Sequence, residues 1–294
     1  MKETADHQNA RNVSDGPPSE RTGERPSERP GENATDNQQG AQQDKARPAK
    51  RHTSRAKRRD ARREREWNDR ESFIVGKARQ LLLQSDYLNL NMDLVAEATE
   101  FSKGLLYKHF SCKEDMMAAI SVENIRKRGE LFERASMFRG STRERMTAIS
   151  VADETLAVRY PEFYQTEHLL NTASINNKCS DLRREQMLTG AVRCMSVLEA
   201  IVRDGVAHGD LELDRSLPPN QICFGLWSMS LGAHTLKQCG KPLEKIGIDD
   251  PMIVLWANQQ RLLDGYGWKP LSRDHDYNRL RQRIREEVFG EEYK

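Results

Sequence analysis

The residues whose types and spacing point to chemistry lie in the run SKGLLYKHFSCKE, positions 102–114. Lys103, Tyr107, Lys108, His109 and Lys113 offer hydrogen-bond donors within one short stretch, while Leu106 and Phe110 stand four apart on one face of a helix. Such a set suits non-covalent work: donors that hold anionic oxygens and an outward face that reads hydrogen-bonding edges. Gly104 has no side chain, so backbone can approach a ligand closely there. No G-x-S-x-G, P-loop, H-E-x-x-H or Cys-x-x-Cys pattern is present, and His208, His234 and Cys239 are too dispersed for metal ligands. The expectation is a protein without enzymatic activity, metal or cofactor.

Short elements must position that run. From Trp67 the pattern takes a helical period, with Phe73, Ile74, Ala78, Leu81 and Leu82 on one face of a helix that stops near Ser85-Asp86. Asn91 is placed to cap a brief helix through Ala98, with Leu94, Val95 and Ala98 inward. Glu100-Phe101 make a turn, and Ser102 caps a third helix from Lys103 to Phe110. A long bracing helix, a short helix, a tight turn and a second short helix form a helix-turn-helix.

The remainder reads as helix throughout: one from Ser111-Cys112 to about Arg139, another opened by a Ser141/Glu144 capping box and ending before Pro161, and a third from Pro161 to about Thr172. Residues 181–207 form one helix of about 40 Å, closed by Gly209. After a turn-rich link, Pro218-Pro219 open a helix stopped by Gly240, Asp250-Pro251 cap one ending at Gly265, and a last one covers about 274–288 with the stripe Tyr277, Leu280, Ile284 and Val288. No period-two stretch occurs. The predicted class is all-α.

Charge is uneven along the 294 residues. Residues 1–44 carry 5 Lys/Arg against 9 Asp/Glu and almost no large apolar side chain, which predicts a disordered acidic and polar tail. Residues 45–65 carry 11 Lys/Arg against 2 Asp/Glu, a basic arm whose later half is able to continue into the first helix. This block alone calls for a polyanionic partner, or else is a solvated tail. No run of about 18 apolar residues predicts a membrane span, and no secretory signal is evident. Five scattered cysteines argue for reduced thiols and a cytoplasmic location rather than a disulfide frame.

The run from Ile74 to Glu114 resembles the DNA-binding domain of the TetR/AcrR family of transcription regulators. The alternation through Ile74, Ala78, Leu81 and Leu82, then Val95-Ala96, then SKGLLYKHFSCKE carry the resemblance. It implies domains at 66–113 (helix-turn-helix), 114–268 (helical effector-binding and dimerisation domain) and 269–294 (a charged C-terminal helix). The function it implies is sequence-specific DNA binding, most simply by a dimeric repressor released by a small hydrophobic effector. The alternative is a helical ligand-binding or interaction module with a degenerate DNA reader. Three departures stand out, the first being Asp86, where the family usually has Gly before the helix-turn-helix. Glu100 occupies the turn where the family favours Gly, and Leu105 replaces a common Thr, exchanging a hydroxyl for an apolar contact suited to a thymine methyl.

The candidate DNA-binding residues are Asn91, Ser102, Lys103, Gly104, Leu105, Tyr107, Lys108, His109 and Lys113, with Asn91 reaching the phosphate backbone by analogy with the family. For Tyr107 the alternative is packing against the following helix, and for His109 a structural role inside the fold. A homodimer presenting two such helices fits a palindromic duplex. Its interface is expected on the helices 218–239 and 251–264, at Leu226, Trp227, Ile253 and Trp256. The effector pocket is sought at Phe163, Tyr164, His168, Met195 and Leu198, which equally suit an ordinary core. Residues 66–120 carry 6 Lys/Arg against 9 Asp/Glu, so the basic arm is expected to supply the phosphate attraction that the reader lacks.

Overall fold

The computed structural model describes residues 49–293 apart from 171–172, 214–216 and 239–241, and leaves out the side chains of 49–55, 85–88 and 168. The expectation for 1–44, and for the first residues of the basic arm, falls outside the described residues. The described residues form eleven α-helices and one short 3-10 turn, with no strand among them. Residues 54–294 make one compact unit.

The first helix, α1 (Ala49–Asn89), is rich in Arg, Ala, Lys and Glu, good helix formers that carry the basic stretch without interruption into the amphipathic segment. It runs past Ser85-Asp86 to Asn89, several residues beyond the expected stop. Asn91 then caps α2 (Met92–Thr99), its Oδ1 accepting from the amides of Asp93 and Leu94 at 3.0 Å each. Helix α2 ends at Glu100, whose φ of 58° and ψ of 22° are left-handed. Ser102 caps α3 (Lys103–His109), accepting from the Leu105 amide at 3.2 Å. Ile74, Ala78, Leu82, Val95, Leu106 and Phe110 are buried together, the core predicted for a helix-turn-helix.

Helix α4 (Lys113–Ser136) leads into the rest of the chain. It packs on α5 (Thr142–Arg159), which opens with the predicted capping box, and on α8 (Asp181–His208), which closes on left-handed Gly209. Between them lie α6 (Pro161–Leu170) and a separate short α7 (Ala173–Lys178) that periodicity does not reveal. Helices α9 (Pro219–Gln238) and α10 (Pro251–Gly265) pack on each other.

The last helix is α11 (Tyr277–Phe289), the charged C-terminal helix. It lies against α5 and buries Tyr277, Leu280, Ile284 and Phe289 in the same core as Leu131, Ile201 and Trp268. Its polar face is also tied in, because Arg281 donates to Glu154 of α5 at 2.8 Å. Arg143, fully buried, joins α5 to the segment after α10: its guanidinium donates to Asp264 and to the Trp268 carbonyl, both at 2.6 Å, and to Ser272 at 3.2 Å.

Candidate nucleic-acid interface and ligand chamber

Helix α3 turns Leu106 and Phe110 inward, which leaves Lys103, Gly104, Tyr107 and Lys108 facing out. Tyr107 is 53% exposed, and a Cβ placed on Gly104 would meet nothing within 4 Å. Leu105 is half-buried at the edge of this face. Lys103 pairs with Asp93 of α2, an exposed ion pair that a stronger anion is able to displace. Asn91 and Ser102 are exposed, each with its oxygen engaged in capping. Lys113 opens α4 and is half-buried, which pulls its ammonium below the usual lysine range despite the neighbouring Glu114.

His109 does not belong to that face. Its side chain is 0% exposed, because on this helix position 109 follows Leu106 by three and turns inward with it. The ring stacks on Trp67 of α1 at 3.7 Å between centroids, and its Nδ1 lies 3.5 Å from Glu71. Burial holds the imidazole below its ordinary pKa, with Glu71 pulling the other way. The structural alternative is the one that fits, and the placement of His109 on the DNA-facing side is corrected.

Sequence reading misses the polar ties between this reader and the helices behind it. Glu71 of α1, beside His109, also accepts from Arg183 of α8. Arg79 of α1 donates to Glu123 of α4 at 2.6 Å and lies over the Phe163 ring of α6 at 4.0 Å. Asp115 of α4 accepts from the amide and hydroxyl of Ser180, at 3.0 and 2.7 Å. These charged groups sit at inward helical positions among apolar neighbours, the one sequence signal that marks them.

Behind the reader, α4 to α10 enclose a cavity of about 700 Å³. Of the residues named for a pocket, Tyr164, Met195 and Leu198 line it. Phe163 does not: its ring is taken up by Arg79 and by an edge contact with Tyr160. The His168 side chain lies outside the described residues. Ile125, Phe132, Met146 and Ile149 supply apolar wall. Into that wall come Asn124, Arg128, Asp153, Glu167 and Ser230, none of which sequence reading singles out. Arg128 donates to both oxygens of Glu167 at 2.5 Å and lies 3.5 Å from Asp153. A second, larger cavity of about 1200 Å³ shares Ser150, Asp153, Tyr164, Ser230 and Gln259 with the first.

Of the four residues expected at a dimer interface, two are internal. Leu226 is buried and faces the chamber. Trp256 is buried under Arg281 and donates its indole N–H to Asn278 at 3.2 Å, which fixes α11 to α10. Trp227 and Ile253 do stand outside, at 45% and 61% exposure, with exposed Phe224 edge-on to Trp227. Cys112, Cys179, Cys194 and Cys223 are free thiols. No helix among the described residues is long and apolar enough to cross a membrane.

Residues 74–120 match the family described as bacterial regulatory proteins, tetR family. That stretch is similar to the DNA-binding segment of this family. The match begins in α1 and ends in α4, so it spans the three helices of the reader and their buried core. Solved structures share the fold of the rest. The TetR-family regulator PfmR from Thermus thermophilus is 20% identical with a TM-score of 0.50, covering 65% of this chain and 97% of that one. A tetR-family regulatory protein from Rhodococcus RHA1 is 15% identical with a TM-score of 0.51, covering 67% and 96%. A protein of unknown function from Rhodococcus sp. RHA1 is 18% identical with a TM-score of 0.53, covering 67% and 94%. No curated protein matches the sequence. Residues 74–120 thus carry a helix-turn-helix of the kind found in tetR-family regulatory proteins.

Proposed function

We propose that this protein is a homodimeric repressor that reads a palindromic duplex with α3 and lets go when a small, largely hydrophobic effector enters the chamber. The observation that carries the proposal is α4: one helix holds the reader core through Met116, Met117 and Ile120, and the chamber wall through Asn124, Ile125, Arg128 and Phe132. An effector that shifts α4 changes the spacing of two readers, and a coupling of about 1–3 kcal/mol is enough for release. Lys103, Gly104, Leu105, Tyr107 and Lys108 form the base- and phosphate-contacting face, Asn91, Ser102 and Lys113 its edges. The exposed apolar face of Phe224, Trp227 and Ile253 supplies the two-fold interface.

The exposed arginines Arg58, Arg59, Arg62 and Arg65 fall on one side of α1, opposite Trp67, Glu71 and Ile74. Their part is sequence-independent phosphate attraction, which the acidic reader cannot provide. The test is selection of duplexes from a random pool by the full-length protein, followed by gel shift. A palindromic consensus bound by a dimer supports the proposal. Enrichment of no duplex favours the degenerate-reader alternative.

A further inference from the structure

Resting on the reading of the chamber as the effector site, we infer that its ligand is an amphiphilic cation: a protonated amine on an apolar or aromatic body. Four charged side chains line the chamber, and one of them, Arg184, is paired with Asp181 on its own helix and donates to the carbonyls of Asn176 and Cys179. Inside remain one guanidinium and two carboxylates. Glu167 takes both terminal nitrogens of Arg128, so Asp153 is left with the Ser230 hydroxyl and the flank of Arg128 at 3.5 Å. His234 does not make up the deficit: its Nε2 is 3.9 Å from Asp153, beyond hydrogen-bond reach. With Arg184 paired to Asp181, the charged side chains lining the chamber therefore sum to one negative charge in a wall of low dielectric.

An independent feature agrees. Asn124 lies one helical turn before Arg128 and is 4% exposed. Its Nδ2 donates to the Phe163 carbonyl at 2.8 Å and to Thr166 Oγ1 at 3.0 Å. The carbonyl can only accept, so the amide cannot be turned over, and Oδ1 is the atom left buried without a donor. A buried acceptor without a donor costs about 1–3 kcal/mol, which a ligand N–H that reaches it would relieve. The Arg128 fork and the Asn124 amide nitrogen are already engaged, whereas acceptors are left over. The ligand must bring the donors and the positive charge; Ile125, Met146, Ile149 and Leu198 take its hydrocarbon, with Trp227 at the mouth.

The test is calorimetric titration of the full-length protein at neutral pH with three molecules sharing one body: phenylhexylamine, phenylhexanol and phenylhexanoate. The amine is expected to bind at least about tenfold more tightly than the alcohol, and the carboxylate most weakly. Asp153→Asn is expected to abolish the amine's advantage while leaving the alcohol's affinity in place, with thermal unfolding checking that the variant is folded. Equal binding of amine and alcohol, tightest binding of the carboxylate, or no binding of any of the three overturns the inference; the comparison on the unaltered protein decides this even if the variant does not fold. Repeating the titration with the selected duplex present separates the two readings. An amine that binds without releasing the duplex leaves the ligand class standing and removes the effector role. Release by the alcohol or carboxylate as readily as by the amine does the reverse.

Discussion

The helices around α3 and those around the chamber both rest on buried apolar side chains, yet they treat most of their polar groups differently. In the reader, Thr99 satisfies its hydroxyl on its own helix at the Val95 carbonyl, 2.7 Å away, and the donors meant for a partner point outward. In the bundle behind it, charged groups pass through the interior: Arg143 is sealed from solvent, and Arg128 is held between Glu167 and Asp153. The difference teaches where each region keeps its chemistry. The helix-turn-helix offers most of its polar groups to solvent and keeps few inside, such as His109 and Arg79, whereas the chamber brings several polar groups inside and holds each in place with others.

The sharpest way to break this comparison is to remove one buried charge from the bundle. Arg143→Ala removes the donor to the Trp268 and Gln260 carbonyls and leaves Asp264 with only the Ser272 amide and hydroxyl, and is expected to cost about 3–5 kcal/mol in denaturant unfolding. The matching change in the reader, Thr99→Val, leaves one backbone carbonyl to its helical partner and is expected to cost about 1 kcal/mol or less. Equal losses would mean that the two interiors are not built differently.

The next effect lies on the surface. Tyr107→Ala combined with Lys108→Ala is expected to weaken binding to the selected duplex by about 1–3 kcal/mol while leaving the unfolding temperature unchanged. Replacing Arg58, Arg59, Arg62 and Arg65 with Gln acts on another quantity, lowering the slope of log affinity against log salt by about 0.9 for each phosphate no longer neutralised. An unchanged slope would remove the role given to the arginine stripe.

Why the first region is legible in the sequence and the second is not follows from the same contrast. Ile74, Ala78, Leu106 and Phe110 recur at helical spacing, so periodicity is enough to draw the reader core and its outward face, and residue type marks the Asn91, Ser102, Ser141 and Asp250 caps. His109 is misplaced by sequence alone because a seven-residue helix has little room to distinguish its edge from its inside. Leu226 and Trp256 read as interface residues because an apolar residue carries no mark of which neighbour covers it. Asp153 and Arg128 escape notice because one charge in an apolar helix face looks like a surface residue until its partners on other helices are known.

A smaller effect follows pH. Burial holds His109 in the reader and His234 in the bundle below the ordinary histidine pKa. Each is neutral when folded, and in the unfolded chain takes up a proton near about pH 6.5. The unfolded state therefore binds more protons below that value. Stability is expected to be level above about pH 6.5 and to fall below it, by at most about 1.4 kcal/mol per pH unit for each histidine. His109→Gln and His234→Gln, measured singly by urea unfolding across this range, should each flatten part of the slope. A slope carried by one of them alone would show that only one region resists the proton.

The smallest effect tests the joint inside the reader. Glu100 sits at φ 58° where a side chain is disfavoured, and its amide donates to the Ala96 and Glu97 carbonyls to close α2. A left-handed non-glycine residue costs about 1–2 kcal/mol, but glycine gives back part of that gain because its unfolded chain is freer, by about 0.5–1 kcal/mol. Glu100→Gly is thus expected to stabilise the protein by about 0.5–1 kcal/mol, read as a higher urea midpoint at an unchanged m-value. Duplex affinity should stay within about twofold, because the backbone of the turn already has the conformation that glycine prefers. A loss of stability would mean that the Glu100 side chain holds something the turn needs. A loss of affinity at full stability would place Glu100 in the reading of DNA rather than in the shape of the turn.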